Sequence, residues 1–332
     1  MVQGIERHHD IAAVICTTGD RACLKHAVAS LAAQTLPPDR FHILVVLNRD
    51  DEALRRDMEA ALAPPVLLVT SAGTAPRVVL EPTPGLSHAR NRAILETTAR
   101  HVAFLDDDAV AEPDWLFHIL EGFGRDPSIA AVGGSILPLW ETPPPAWVKP
   151  PLYTYFSCKS FGEAERWLGP GEYFFGTNMA FRRDVLLACG GFPVNLGRTG
   201  ENLLSNEEWP VFRAIDARGL GKLASPRVTV RHRVPAGRMT ARFFFRRLWW
   251  QGVSDTVFHL ECAGRSRAFV VRKALADFAR YYGALPRRLT AGQATWRLAA
   301  FNLARWLGIA CALARHAPAG PPFGARPDGS RP

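Results

Sequence analysis

The chain has 332 residues, 48% hydrophobic and 21% charged, enough for a packed domain with an appendage and not the make-up of a disordered polymer. Its net charge of +9 is unevenly placed: residues 1–226 hold 21 Lys and Arg against 27 Asp and Glu, whereas residues 227–332 hold 19 against 4. An acidic body with a basic end section calls for an anionic partner, and lipid, nucleic acid and a phosphorylated acceptor are the classes to weigh.

Residues 1–10 are polar and lack the apolar core of a signal peptide, so secretion is not expected. Residues 11–15 read as a buried strand, followed by a turn at Thr18-Gly19-Asp20. Leu24, Ala27, Val28, Leu31 and Ala32 then recur at helical spacing. Residues 41–47 are a second strand, 52–62 a second helix, and 66–69 and 78–80 short strands. Ser87 is placed to cap a helix reaching residue 99. Residues 101–105 form a strand that ends at Asp106-Asp107-Asp108. Strands alternating with helices predict a mainly parallel sheet with helices on its faces, and such sheets bind ligands beyond the carboxyl ends of their strands.

Further on, the proline-rich stretch 138–151 reads as a surface loop, 173–181 as a strand, 185–189 as a short helix and 197–205 as a flexible loop. A helix over 207–218 and a final strand over 223–230 follow, and the chain after Thr240 is helical in pattern. Residues 317–332, rich in Pro and Gly, are expected to be disordered. The six cysteines are scattered without a CxxC pair, which argues against zinc or a disulfide framework and suits a reducing cytoplasm.

Three adjacent carboxylates repel one another unless a cation or solvent screens them. After a strand, alternate side chains point the same way, so Asp106 and Asp108 can converge on one ion. Oxygen ligands with open positions suit Mg²⁺ or Mn²⁺, which neutralises a diphosphate leaving group. A solvated turn, with Asp108 or Asp114 capping the helix around Trp115, is the plainer alternative. Asn206-Glu207-Glu208 precedes a helix, where the dipole favours acids; a carboxylate beside a bound donor can also deprotonate an acceptor hydroxyl. His232 ends the last predicted strand, as a structural group or as a further metal ligand.

Six segments carry a further signal: Val14 to Arg21 (VICTTGDR), Ser30 to Gln34 (SLAAQ), Gly85 to Asn91 (GLSHARN), Phe104 to Asp108 (FLDDD) with Pro113 to Leu116 (PDWL), Gly176 to Arg183 (GTNMAFRR) with Gly190-Gly191-Phe192, and Glu207-Glu208. In order and spacing they resemble the family-2 glycosyltransferases over residues 10–235. The resemblance implies a GT-A fold: α/β, Rossmann-like, a mostly parallel sheet with flanking helices, here with a C-terminal helical extension. It implies inverting transfer of a hexose from a nucleotide-diphosphate sugar to a hydroxyl of a polysaccharide, lipid-linked glycan or small-molecule acceptor. Asp106, Asp108 and His232 would hold Mg²⁺ or Mn²⁺, and Glu208 would be the catalytic base. Thr17, Asn48, Arg90, Asn91, Asp106 and Asp107 would bind the donor, with Thr17 at the base pocket, Arg90 and Asn91 by the ribose or phosphates, and Asp107 turned away from the ion. Two positions depart from the pattern: Leu47 stands where the family has Asp, leaving Asn48 or Asp50 as substitutes, and Glu208 stands where the base is normally Asp.

In the basic section, Arg238, Arg242, Arg246 and Arg247 interleave with Phe243-Phe244-Phe245 and Leu248-Trp249-Trp250. Such a mixture lies on a membrane surface, or packs its aromatics on the catalytic body with the arginines at the rim or against the acceptor. Residues 296–314 are apolar but interrupted by Arg297 and Arg305, short of the roughly 20 uninterrupted residues of a membrane span, so an in-plane or docked helix is expected. No recognition motif accompanies the charge, and nucleic acid is not an expected partner. The expected organisation is a catalytic domain over 1–235, a helical extension over 236–316 and a tail over 317–332. A cytoplasmic enzyme is expected, with attachment to the inner face of the membrane left open. The rival readings are a nucleotidyltransferase, for which Thr17-Thr18-Gly19-Asp20 is a poor glycine loop, and a non-catalytic carbohydrate- or lipid-binding protein of the same fold.

Overall fold

The computed structural model describes residues 9–62, 75–290 and 296–315; the strand expected at 66–69 and the tail expected at 317–332 lie outside them. Strand β1 (Ile11–Thr17) is apolar almost throughout, as a parallel strand covered on both faces must be. Gly19, with φ +110°, turns the chain into α1 (Arg21–Ala32), which Asp20 caps by accepting from the Ala22 and Cys23 amides. Strand β2 (Phe41–Leu47), helix α2 (Glu52–Leu62), strand β3 (Arg77–Leu80), helix α3 (Leu86–Glu96) and strand β4 (His101–Asp106) continue the alternation. All pairings among these four strands are parallel, with β1 between β2 and β4.

The second half of the sheet is mixed. Strand β5 (Ala109–Ala111), helix α4 (Trp115–Phe123), strand β6 (Ile129–Trp140), the helical turn α5 (Pro150–Tyr153), the short strand β7 (Arg166–Trp167), strand β8 (Asn178–Arg182), helices α6 (Arg183–Ala188) and α7 (Glu208–Ala217) and strand β9 (Gly221–Val234) complete it. The strand order is β3-β2-β1-β4-β8-β6-β9-β5, with β7 on β9, and β8 runs antiparallel to both of its neighbours. One core lies between the sheet and α1, α2 and α4, the other between the sheet and α3, α6 and α7.

Helices α8 (Ala241–Val257), α9 (Arg267–Gly283), α10 (Leu285–Thr290) and α11 (Trp296–Arg315) form the extension. It is docked on the body: buried Phe244 stacks on Phe301 and meets Trp147 edge-on. Helices α8 and α11 run antiparallel with their backbones in contact at two glycines. A Cβ on Gly252 would stand 2.0 Å from the Arg305 carbonyl oxygen, and one on Gly308 2.0 Å from that of Trp249.

Several expectations are corrected. Ser87 does not cap α3; that place belongs to Gly85 with φ +140°, and the Ser87 hydroxyl donates inside the body to the Leu196 carbonyl. The proline-rich loop begins later than expected, because β6 runs on through Pro138 to Trp140. The strand expected over 173–181 is confined to Asn178–Arg182, since Gly176 and Thr177 turn away to serve the site described below. Strand β9 continues to Val234, so His232 lies within it rather than at its end.

Candidate active site

The carboxyl ends of β1, β2 and β4 open into a cavity of about 780 Å³. Thr17, Asn48, Arg90, Asp106, Asp107, Asp108, Glu208 and His232 all line it. Residues of the extension, among them Arg238, Arg247, Asp255 and Arg305, close its far wall.

The acidic run is sorted by the sheet. Strand β5 pairs with β9 so that Ala109 faces His232, which brings the preceding Asp108 against the imidazole, Oδ1 to Nε2 3.0 Å. Arg238 Nη2 stands 3.2 Å from the other oxygen of Asp108. Burial alone would raise Asp108; the charges of His232, Arg238 and Arg198 hold it well below the usual carboxylate range. One ligand atom each from Asp106, Asp108 and His232 lie within 4.8 Å of one another. Two carboxylates and an imidazole, with solvent-facing positions left open, form a donor set that fits Mg²⁺ or Mn²⁺. Asp107 takes the opposite direction and accepts from the Thr17 hydroxyl at 2.5 Å. Burial pushes Asp107 up to about 7, against the Thr17 hydrogen bond and with help from the neighbouring aspartates.

Glu208 opens α7, after Asn206 has taken a left-handed φ of +76°. Its Oε1 accepts from the Gly176 amide at 2.8 Å, while the hydroxyl of the next residue, Thr177, donates to Asp106. One dipeptide thus ties both acidic groups together. A Cβ at 176 would lie 2.1 Å from Arg90 Nη2 and 2.8 Å from Glu208 Oε1, so any larger residue there would displace one of these groups. Behind it, Arg90 and Glu207 form a buried ion pair of 2.7 Å. Burial, then the Glu207 charge, push Glu208 up to about 7, with Arg90 opposing them.

Three expected donor residues also have partners within the protein. Asn91 does not line the cavity: its amide exchanges two hydrogen bonds with the Phe192 backbone, because one residue along a helix turns the side chain some 100° from its neighbour Arg90. Asn48 lines the cavity, yet its side chain donates to the Glu81 and Thr83 carbonyls and accepts from the Gly85 amide, bracing that loop. Arg90 is committed to Glu207 and reaches Asp106 only at 3.9 Å. Leu47 is buried in the core, and Asp50 is not among the cavity residues.

Other cavity residues escaped the sequence reading. Thr177 belonged to a recognised segment and, as a hydroxyl beside an acid, was within reach. Gln251, Asp255 and Arg305 gave no signal, because only the fold brings α8 and α11 to the loop before α7. There Asn206 donates to Asp255 and accepts from Gln251, and Asp255 pairs with Arg305 at 2.6 Å.

The comparisons with known proteins agree with this geometry. Over 256 residues, 75% of this chain and 77% of the relative, the sequence is 28% identical to glucosyl-dolichyl phosphate glucuronosyltransferase of Haloferax volcanii. It is 26% identical to the succinoglycan biosynthesis protein ExoM of Rhizobium meliloti, over 74% of this chain and 73% of that one. The fold matches the mannosyltransferase PcManGT of Pyrobaculum calidifontis, solved with GDP-Man and Mn²⁺, with a TM-score of 0.58, 19% identity and coverage of 91% and 87% of the two chains. The family model of glycosyl transferase family 2 matches residues 12–190, more than half of the sequence. The chain is therefore a glycosyltransferase of the GT-A fold and a member of glycosyl transferase family 2.

Proposed function

We propose that the enzyme is an inverting, Mg²⁺- or Mn²⁺-dependent transferase that moves a hexose from a nucleotide-diphosphate sugar to the hydroxyl of a glycan, a lipid-linked glycan or a small molecule. The observation that carries this is the Gly176-Thr177 link, which fixes the Asp106/Asp108/His232 group and the Glu208 carboxylate in one cavity. A bound divalent ion would offset the charge that develops on the departing diphosphate. Glu208, with its affinity for protons raised to about 7, takes the acceptor proton as the hydroxyl oxygen bonds to the anomeric carbon and the bond to the diphosphate breaks on the opposite face. Thr17 and Asp107 would face the nucleoside. The names of the relatives, one acting on a lipid phosphate-linked sugar and one in polysaccharide synthesis, support an envelope glycan acceptor.

The test is turnover of a panel of nucleotide sugars, with the anomer of the product read by NMR. Turnover of every donor unchanged in both Asp108→Ala and Glu208→Gln would sink this site, and a retained anomeric configuration would sink direct displacement.

We also propose that the catalytic body over 1–235 and the extension over 236–316 act as one unit, with the extension resting on an anionic membrane surface. Helix α9 leaves Val271, Leu275 and Phe278 exposed and α11 leaves Trp296, Leu303 and Leu307, beside the arginines of the basic section. By length and composition α11 is also long and apolar enough to cross a bilayer, its best window having a mean hydropathy of 1.2. Flotation with anionic vesicles should be lost on Leu275→Glu together with Leu307→Glu; equal flotation of that variant, or of protein ending before Thr240, removes the membrane proposal.

A further inference from the structure

The wall of the cavity formed by the extension carries charge that the donor and the base do not use. Of the arginines lining the cavity, Arg90 is paired with Glu207 at 2.7 Å, Arg238 with Asp108 at 3.2 Å and Arg305 with Asp255 at 2.6 Å. Arg49, Arg198 and Arg247 have no carboxylate ion pair among the described residues, and of these Arg198 and Arg247 act on one another. Arg247 Nη2 reaches only the Ser205 hydroxyl, at 3.4 Å, and its Nη1 is buried without a partner. Arg198 is exposed on the loop before α7, whose path is set by its own carbonyl accepting from the Leu86 amide at 2.9 Å. Burial, and after it the charge of Arg198, bring Arg247 down to about 10, so its guanidinium remains cationic at neutral pH.

Two cations lining one cavity and acting on one another, one of them desolvated, are unfavourable until an anion joins them. Among the described residues the carboxylates whose charge acts on Arg247 are already engaged by other cations or amides: Asp255 accepts from Arg305, Gln251 and Asn206, and Glu207 accepts from Arg90 through Oε1, its buried Oε2 making no hydrogen bond. Arg247 stands on the side of the catalytic base, its Nη2 3.4 Å from Ser205 in the loop before Glu208, and Arg198 is close enough for its charge to act on both Arg247 and Asp108.

We propose that Arg198 and Arg247 form an anion subsite on the acceptor side of the cavity, and that it takes a phosphate group carried by the acceptor. The proposal rests on the transferase reading above. Phosphate is the favoured anion on charge: a monoester carries about −1.5 to −2 at neutral pH, which matches two guanidiniums, while a carboxylate leaves one of them uncompensated. Several acceptor oxygens also suit two planar guanidinium forks.

The test is titration calorimetry on the full chain, with Mg²⁺ and excess UDP and GDP present to fill the donor site. The probes are inorganic phosphate, glucose 1-phosphate, decyl phosphate and glucuronate. Saturable binding of the phosphate probes is expected, weakened about tenfold or more by Arg247→Gln and by Arg198→Gln, as the loss of a charge-assisted hydrogen bond implies. Arg56→Gln, on α2 and outside the cavity, should leave it unchanged. Tighter binding of decyl phosphate than of glucose 1-phosphate assigns the phosphate to a lipid, and the reverse order to a soluble sugar phosphate; both support the subsite. Arg198 is on the surface, so its variant reports even where Arg247→Gln fails to fold. The proposal is overturned by displacement of phosphate by the nucleotides, by glucuronate binding with the same arginine dependence, or by full phosphate binding in both variants. Those results leave the transferase standing if Asp108→Ala still abolishes donor turnover, whereas no donor turnover by the parent chain removes the transferase reading itself.

Discussion

The two walls of the cavity hold their charges by different means. On the donor wall, Thr17, Asp106 and Asp107 sit at the ends of adjacent parallel strands, where the pairing of Cys16 with Asp106 sets their places. On the proposed acceptor wall, Asn206, Gln251, Asp255 and Arg305 come from a loop and two helices spread over 100 residues of sequence, held by a chain of side-chain bonds. The first arrangement is as rigid as the sheet. The second is as rigid as the docking of α8 on α11, so damage far from the donor site should reach the acceptor and the base while sparing the nucleotide.

The largest expected effect comes from the donor wall. Asp108→Ala should lower kcat/KM by about a thousandfold, the scale of losing a preorganised charge group, and chelation of divalent ions should do the same to the parent enzyme. Steady-state assays with and without EDTA check both. Next is Glu208→Gln, with an expected loss of about 10²–10⁴-fold in kcat. A base raised to about 7 is ionised only above that pH, so the parent rate should climb through pH 7 to a plateau, and the residual rate of the variant should show no such step.

On the acceptor wall, Gly308→Ala places a Cβ against the Trp249 carbonyl and should cost about 1–3 kcal/mol as overpacking, read as a lower Tm. If the comparison of the walls is right, that variant loses transfer more than it loses nucleotide-induced thermal stabilisation; equal losses of both would break it. Burial also makes Glu208 a pH-dependent element of stability. Its folded pKa lies above that of an unfolded Glu, near 4.3, so its contribution is full below that pH and is lost as pH rises towards about 7. Glu208→Gln should therefore flatten the fall in Tm over that window. The smallest effect is Asn91→Ala, which removes two hydrogen bonds to Phe192 and should cost about 1–2 kcal/mol while leaving nucleotide binding intact.

Asn91 also shows where reading residues in line goes astray. It adjoins Arg90 in a recognised segment, but helical geometry sends the two side chains to different places, and of the two only Arg90 lines the cavity. Ser87 and the strand expected over 173–181 erred for a related reason. Local patterns describe what a segment prefers, whereas Ser87, Gly176 and Thr177 are claimed by partners 109, 32 and 71 residues away.

The sequence by itself determined the parallel first half of the sheet, since apolar runs buried on both faces and helical periodicity are local properties. It also determined that acids stand at the end of β4 and at the start of α7. Tertiary structure alone decided how those acids divide their work: β5 against β9 turns Asp108 to His232, Thr17 draws Asp107 aside, and burial raises Glu208. It alone made the basic section a wall of the cavity, because pairing between distant charges depends on distance and desolvation, and neither is written along the chain.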